Sequence, residues 1–303
     1  MRFATRSGEL PPLIQGGNGM RDRPILSSLL VAILAGLLLQ MYNIIEFSQL
    51  VDSVITNHHM GGRLIDFVFR MTTGALLVIV AVPLLHGYFH RAGWRGEYLQ
   101  FMRVSLGTDP KRTVAAAMLS FFALVAVLIA SSLGAGAFSF DPTVLIDDDN
   151  WLILLAALVP GIWEELAFRG FVLANLQHRF SASVAIVISS IAFGLFHFSN
   201  LFGNWDDVAS VVAGVIAATT LGLGWGYMVI RTNSVVPAIV LHYLVDVILY
   251  DELFIDPLAG DDSTAIVYVA FALLYPFLTI VFTRRLFENR QPEPTRESRG
   301  LIS

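Results

Sequence analysis

The stretch 151-WLILLAALVPGIWEELAFRGFVLANL-176 is 26 residues long and apolar at most positions, enough to cross a bilayer as a helix rising about 1.5 Å per residue. Near its middle stand Glu164, Glu165 and, four residues after the second, Arg169. An ionised side chain at bilayer depth costs roughly 2.5 to 3.5 kcal/mol on insertion scales. Three of them in one span mark a site within the membrane rather than a plain anchor.

The whole chain has the same character. Hydrophobic residues make up 55% of the 303 and charged residues 14%, against about 25% charged in soluble domains, and the mean hydropathy is +0.68. The fold class is all-α, a polytopic helical bundle in the membrane. The bilayer is its surrounding partner, and no nucleic-acid partner is expected. Cysteine is absent, which excludes disulfides, thiolate nucleophiles and Cys-ligated metals.

Apolar runs near 20 residues give eight spans at about 24-45, 68-89, 113-137, 151-174, 182-202, 208-230, 234-250 and 264-283. The first follows Arg21 and Arg23 and leads into Gln40-Met41-Tyr42 without a small-residue cleavage site, so it reads as a retained anchor. With both termini cytoplasmic, 16 of the 19 Lys and Arg fall on that side, while Asp147, Asp148, Asp149, Asp206 and Asp207 fall opposite. That is the positive-inside asymmetry of a multi-pass cell-membrane protein. A single lysine among 19 basic residues fits an Arg-biased prokaryotic genome. Residues 1-23 and 288-303 read as disordered tails, 24-150 as N-terminal membrane helices, 151-250 as the core and 251-287 as the last span. Aromatic and basic residues alternate between Phe89 and Arg112, the pattern of an interfacial helix lying on the membrane.

Polar residues inside the spans come in pairs four apart, each pair on one helix face: Glu165 with Arg169, Phe193 with His197, His242 with Asp246. Glu164 lies about 100° round the helix from Glu165. Glu165 is therefore assigned to Arg169 as a structural ion pair, and Glu164 is left for the site. The turn between the fourth and fifth spans lies near Phe180-Ser181, and Glu164 and His197 each stand 16 residues from it. In an antiparallel helical hairpin they come level. His86 and His90 repeat the i,i+4 spacing beside Arg91, where an interfacial role is favoured over metal binding.

These residues resemble the E-E-x-x-x-R, F-x-x-x-H and H-x-x-x-[N/D] motifs, in order, of the CPBP (Abi) intramembrane proteases, which include the type II CAAX prenyl endopeptidases and bacteriocin-processing or self-immunity proteins. The likeness covers residues 151-250. It implies an intramembrane endopeptidase acting on membrane-associated peptides or proteins, prenylated or bacteriocin-type. Glu164 and His197 would activate water, and His242 with Asp246 would face them and stabilise the oxyanion, with Phe193 packing the motif. The family is described both as zinc metalloproteases, for which Glu164, His197 and His242 would be the ligands, and as metal-free glutamate enzymes. Asp246 stands where many relatives carry Asn, and an ionised carboxylate there would repel an oxyanion.

Two readings of another class remain beside this one. Buried Glu, His and Asp also line proton- or ion-coupled transporters, and a silent family member would serve as a scaffold or immunity factor. Motifs of site-2, rhomboid and presenilin-like proteases are missing from the sequence. Pro160-Gly161 are expected to kink the fourth span before Glu164, and Pro237, five residues before His242, to leave carbonyls that water or a substrate strand could use. The G-x-x-x-G face of Gly222 and Gly226 is expected to pack helices closely, with homodimerisation as its second use.

Overall fold

The computed structural model describes residues 23–44, 68–69, 71–88, 93–145, 151–203, 208–250, 253–256 and 258–288. Both tails, Asp147 to Asp149, Asp206 and Asp207, and position 90 of the His86/His90 pair lie outside the described residues.

The apolar runs fold as helices. They are α1 (Pro24–Ile44), α2 (Met71–Leu85), α4 (Pro110–Ala135), α5 (Trp151–Glu165), α6 (Ala182–Phe196), α7 (Val208–Thr232), α8 (Val236–Tyr250) and α9 (Asp261–Phe287). A short helix, α3 (Trp94–Phe101), links α2 to α4. Helices α4, α7 and α9, and α6 extended to Leu201, are each long and apolar enough to cross a membrane, with shorter apolar helices in α1, α2 and α8. Local chemistry sets several ends. Asp109 caps α4 by accepting from the Arg112 N–H at 3.3 Å, and Pro110 opens that helix. Asp261 and Asp262 in the first turn of α9, with Arg284 and Arg285 in its last, match the helix dipole.

The bundle is apolar outside and polar within. Ile33, Phe122, Ile216 and Phe277 each expose more than half of their surface, while Glu164, Glu165, Arg169, His242, Asn175 and Ser189 are buried. Water would penalise that outer surface, and lipid accepts it. The chain is a multi-pass membrane protein.

Small residues bring the helices together. A Cβ on Gly222 would stand 2.9 Å from the Ser190 side chain and one on Gly226 3.3 Å from Ile186. The G-x-x-x-G face is thus packed against α6 of the same chain. On the next face of α7, a Cβ on Gly224 would stand 3.1 Å from Pro276 of α9. Between α5 and α8, a Cβ on Gly161 would stand 3.2 Å from the Ile239 carbonyl oxygen and 3.1 Å from the Tyr243 nitrogen.

The two prolines sit differently. Helix α5 continues past Pro160, and Gly161 serves close packing. The hydrogen-bond pattern changes further on, where α5 passes into a π-helix over Leu166–Val172 and a last α turn, Leu173–Leu176. There the Leu173 N–H reaches back five residues to the Phe168 carbonyl, which also accepts from Ser189 Oγ of α6 at 3.0 Å. Pro237 sits in the first turn of α8, where a missing N–H costs nothing.

The stretch expected to lie on the membrane between 89 and 112 forms a shorter helix, α3, and tucks beneath the bundle. Tyr98 is buried and donates to the Val78 carbonyl at 2.6 Å, inside a second π-helix, Leu76–Ala81. Arg103 bonds Gln177 beyond the end of the fourth span, its carbonyl accepts from the Val235 N–H at 3.1 Å, and burial pulls its guanidinium down to about 10. Gly107 has φ +77 and no room for a Cβ beside the Thr232 carbonyl. This elbow ties α3 to the end of the fourth span and to the turn between α7 and α8.

Candidate active site

Three polar clusters converge from four segments. Glu164 and Glu165 end α5, and Arg169 follows in the π-helix. His197 closes α6, and His242 and Asp246 lie one turn apart on α8. Trp163 and Phe196, the residues before Glu164 and His197, meet edge to face at 5.7 Å, so the two motif positions stand level in the bundle.

Glu165 is the centre of the polar network. Its Oε1 accepts from Arg169 Nη1 at 2.8 Å and from His242 Nδ1 at 2.9 Å. Arg169 is 1% exposed and Glu165 is fully enclosed, so the pair is desolvated and each charge needs the other. On its far side, His242 Nε2 stands 3.6 Å from Asp246 Oδ2. The line Arg169, Glu165, His242, Asp246 thus joins the first and third motifs. Pairing Glu165 with Arg169 alone, as the spacing suggests, omits its second partner on α8.

The second motif adds an aromatic floor and another imidazole. The Arg169 guanidinium lies over the Phe193 ring, 3.8 Å from its centroid, a stacking worth about 2 kcal/mol when desolvated. Phe193 also turns its ring nearly at right angles to His197 at 4.8 Å and to His242 at 6.0 Å. His197 Nδ1 lies 2.9 Å from the Phe193 carbonyl. A carbonyl can only accept, so Nδ1 carries the hydrogen, and in the neutral ring Nε2 keeps its lone pair. That side-chain bond occupies a carbonyl of the last helical turn, and α6 gives way at His197 to a 3-10 helix, His197–Gly203.

Trp225 of α7 belongs to this site and was not singled out from the sequence. Its indole stacks on His242 with centroids 5.0 Å apart, and Arg169 stands 5.5 Å from its ring. The run Gly222 to Gly226, with three glycines around one tryptophan, was the available sign. His86 packs edge-on to Phe171 at 4.6 Å and belongs to the aromatic cluster around α3.

As a metal centre the set does not fit. Among the described residues no three His, Asp or Glu side chains are gathered to hold an ion. His242 Nδ1 is held by Glu165 and His197 Nδ1 by a backbone carbonyl, bonds that orient the rings and leave the Nε2 atoms as their free nitrogens. Among the described residues, Glu164, His197 and His242 are not gathered as three ligands.

Comparison with known proteins agrees with the geometry. Residues 147–248 match the family described as type II CAAX prenyl endopeptidase Rce1-like, a span holding all three motifs. No curated protein matches the chain. Over residues 147–248 the chain is similar to the Rce1-like type II CAAX prenyl endopeptidases.

Proposed function

We infer that the chain hydrolyses peptide bonds of membrane-associated substrates, of the prenylated or bacteriocin type, with Glu164 as general base. The observation that carries this reading is the double engagement of Glu165 by Arg169 and His242. It commits the second carboxylate to holding the site together and leaves proton transfer to the first. Glu164 is buried beside it, in surroundings where water is scarce and a held water is activated strongly.

A water between Glu164 and His197 gives one proton to the Glu164 carboxylate, its other hydrogen being held by the His197 Nε2 lone pair. Its oxygen attacks the scissile carbonyl, whose oxygen takes up the negative charge. His242 donates to that oxyanion from Nε2, and Asp246, 3.6 Å away, shares the proton involved. The tetrahedral species collapses, the C–N bond breaks, and Glu164 returns its proton to the leaving amine. Arg169 remains outside the chemistry and neutralises Glu165.

The test is cleavage of membrane peptides by purified protein in liposomes. Glu164→Gln is isosteric and takes no proton, so it is expected to abolish cleavage while the protein stays folded and monodisperse. Near-wild-type cleavage by that variant would remove Glu164 as the base. A proton-linked transport activity lost in the same variant would favour the transporter reading.

A further inference from the structure

We propose that Tyr275, on α9 and outside the family-matched segment, is a positioning residue that acts through Trp225 to hold the His242 ring and the Arg169 guanidinium in place. The chain of contact is short. The Trp225 indole N–H donates to Tyr275 Oη at 3.2 Å, and the indole face stacks on His242 at 5.0 Å and 30°. Trp225 is 1% exposed and Tyr275 fully buried. An indole has one polar atom, and once enclosed that N–H must find an acceptor. Fixing the N–H fixes the ring's rotation and so the plane against which His242 rests.

The backbone explains why this acceptor is where it is. Gly224 packs so closely on Pro276 that a Cβ there would stand 3.1 Å from the Pro276 Cα, which brings the residues beside them, Trp225 and Tyr275, together. Phe271, one turn earlier on α9, stacks on Tyr275 at 5.6 Å and 11° and holds the phenol ring from the other side. Remove the Tyr275 hydroxyl and the indole N–H is left without this acceptor in an apolar setting. The ring is then free to turn, and His242 loses a wall although nothing that touches it directly has been changed. The ionisable groups around His242 are Glu164 and Glu165 of α5, Arg169 of the π-helix, His197 at the end of α6 and Asp246 of α8. Tyr275 is the contribution of α9.

The kinetic arm of the test rests on the hydrolase reading, and the spectroscopic arm does not. Protein grown with fluorotryptophan gives a fluorine NMR signal for each of the five tryptophans, and the one missing from Trp225→Phe is that of Trp225. In wild type this signal is expected to move with pH as the stacked imidazole titrates, and in His242→Gln that movement is expected to vanish. Tyr275→Phe is expected to shift and broaden the signal and to displace its titration midpoint. In cleavage assays Tyr275→Phe is expected to lower kcat about threefold to tenfold, the size of one net hydrogen bond, with KM unchanged. Trp225→Phe should do the same, and the double variant should add nothing further. A Tyr275→Phe protein whose Trp225 signal and titration match wild type overturns the proposal, whatever its thermal stability. If no variant and no wild-type preparation cleaves any peptide, the hydrolase reading falls while the fluorine spectra still decide the role of Tyr275.

Discussion

Replacing Glu165 by Gln removes one negative charge from between two cationic or proton-bearing partners, at 2.8 Å from Arg169 and 2.9 Å from His242. Two unit charges 4 Å apart at an effective dielectric of 20 attract by about 4 kcal/mol. Stranding one partner of a buried pair costs about 3 to 5 kcal/mol. Two terms offset the loss. The Gln carbonyl still accepts one hydrogen bond, about 1 kcal/mol net, and the Phe193 face under the guanidinium keeps its attraction for Arg169. A net loss of about 3 kcal/mol is expected, roughly a hundredfold in the unfolding equilibrium. The assay is unfolding by a denaturing detergent titrated into a mild one, followed by near-UV circular dichroism. Glu164→Gln is the control and should lose under about 1 kcal/mol. Adding Arg169→Met to Glu165→Gln should recover most of the loss, because no stranded charge remains. A single variant within about 0.5 kcal/mol of wild type, or a double variant no better than the single, would refute the view that Glu165 is held by its charge.

Asp246→Asn is expected to keep or raise cleavage at neutral pH, since the amide supplies a neutral donor beside His242; a loss of activity restored by added zinc would instead give Asp246 a role in holding a metal. Gly194→Ala should lower stability by about 1 to 3 kcal/mol, because its Cβ would lie 2.7 Å from the Val215 carbonyl; a stable Ala variant would show that α6 and α7 can part without cost. Cysteine labelling from either side of the membrane is expected to find position 148 outside and positions 100 and 290 inside, and a label reaching position 148 from the cytoplasm would reverse the orientation read from the basic residues.

Much of this fold is legible in the sequence, for physical reasons. Length and hydropathy fix where helices run, because a bilayer imposes both. The i,i+4 rule places Glu165 beside Arg169, because the contact is local. Contacts between helices are another matter. That His242 takes the same carboxylate oxygen depends on how closely α5 approaches α8 at Gly161. The π-helix was hidden because its cause is tertiary: the Phe168 carbonyl has a second donor in Ser189, 21 residues away. Pro237 misled for the opposite reason. Pro237 is harmless in a first turn, and the sequence pattern did not fix where α8 begins. Nothing in a motif confined to residues 151-250 pointed to Tyr275.

The seating of Gly224 against Pro276 has a consequence for how the chain comes into being. Helix α9 follows every other described helix, so it is the last of them to leave the ribosome, and until it arrives α7 lacks one of its two main neighbours. During synthesis the region carrying the motifs comes first, with its glutamates and histidines, and one side of α7 waits uncovered. Assembly of the site is thereby delayed until α9 is made. A nascent chain of this kind is built as an incomplete tool until α9 docks.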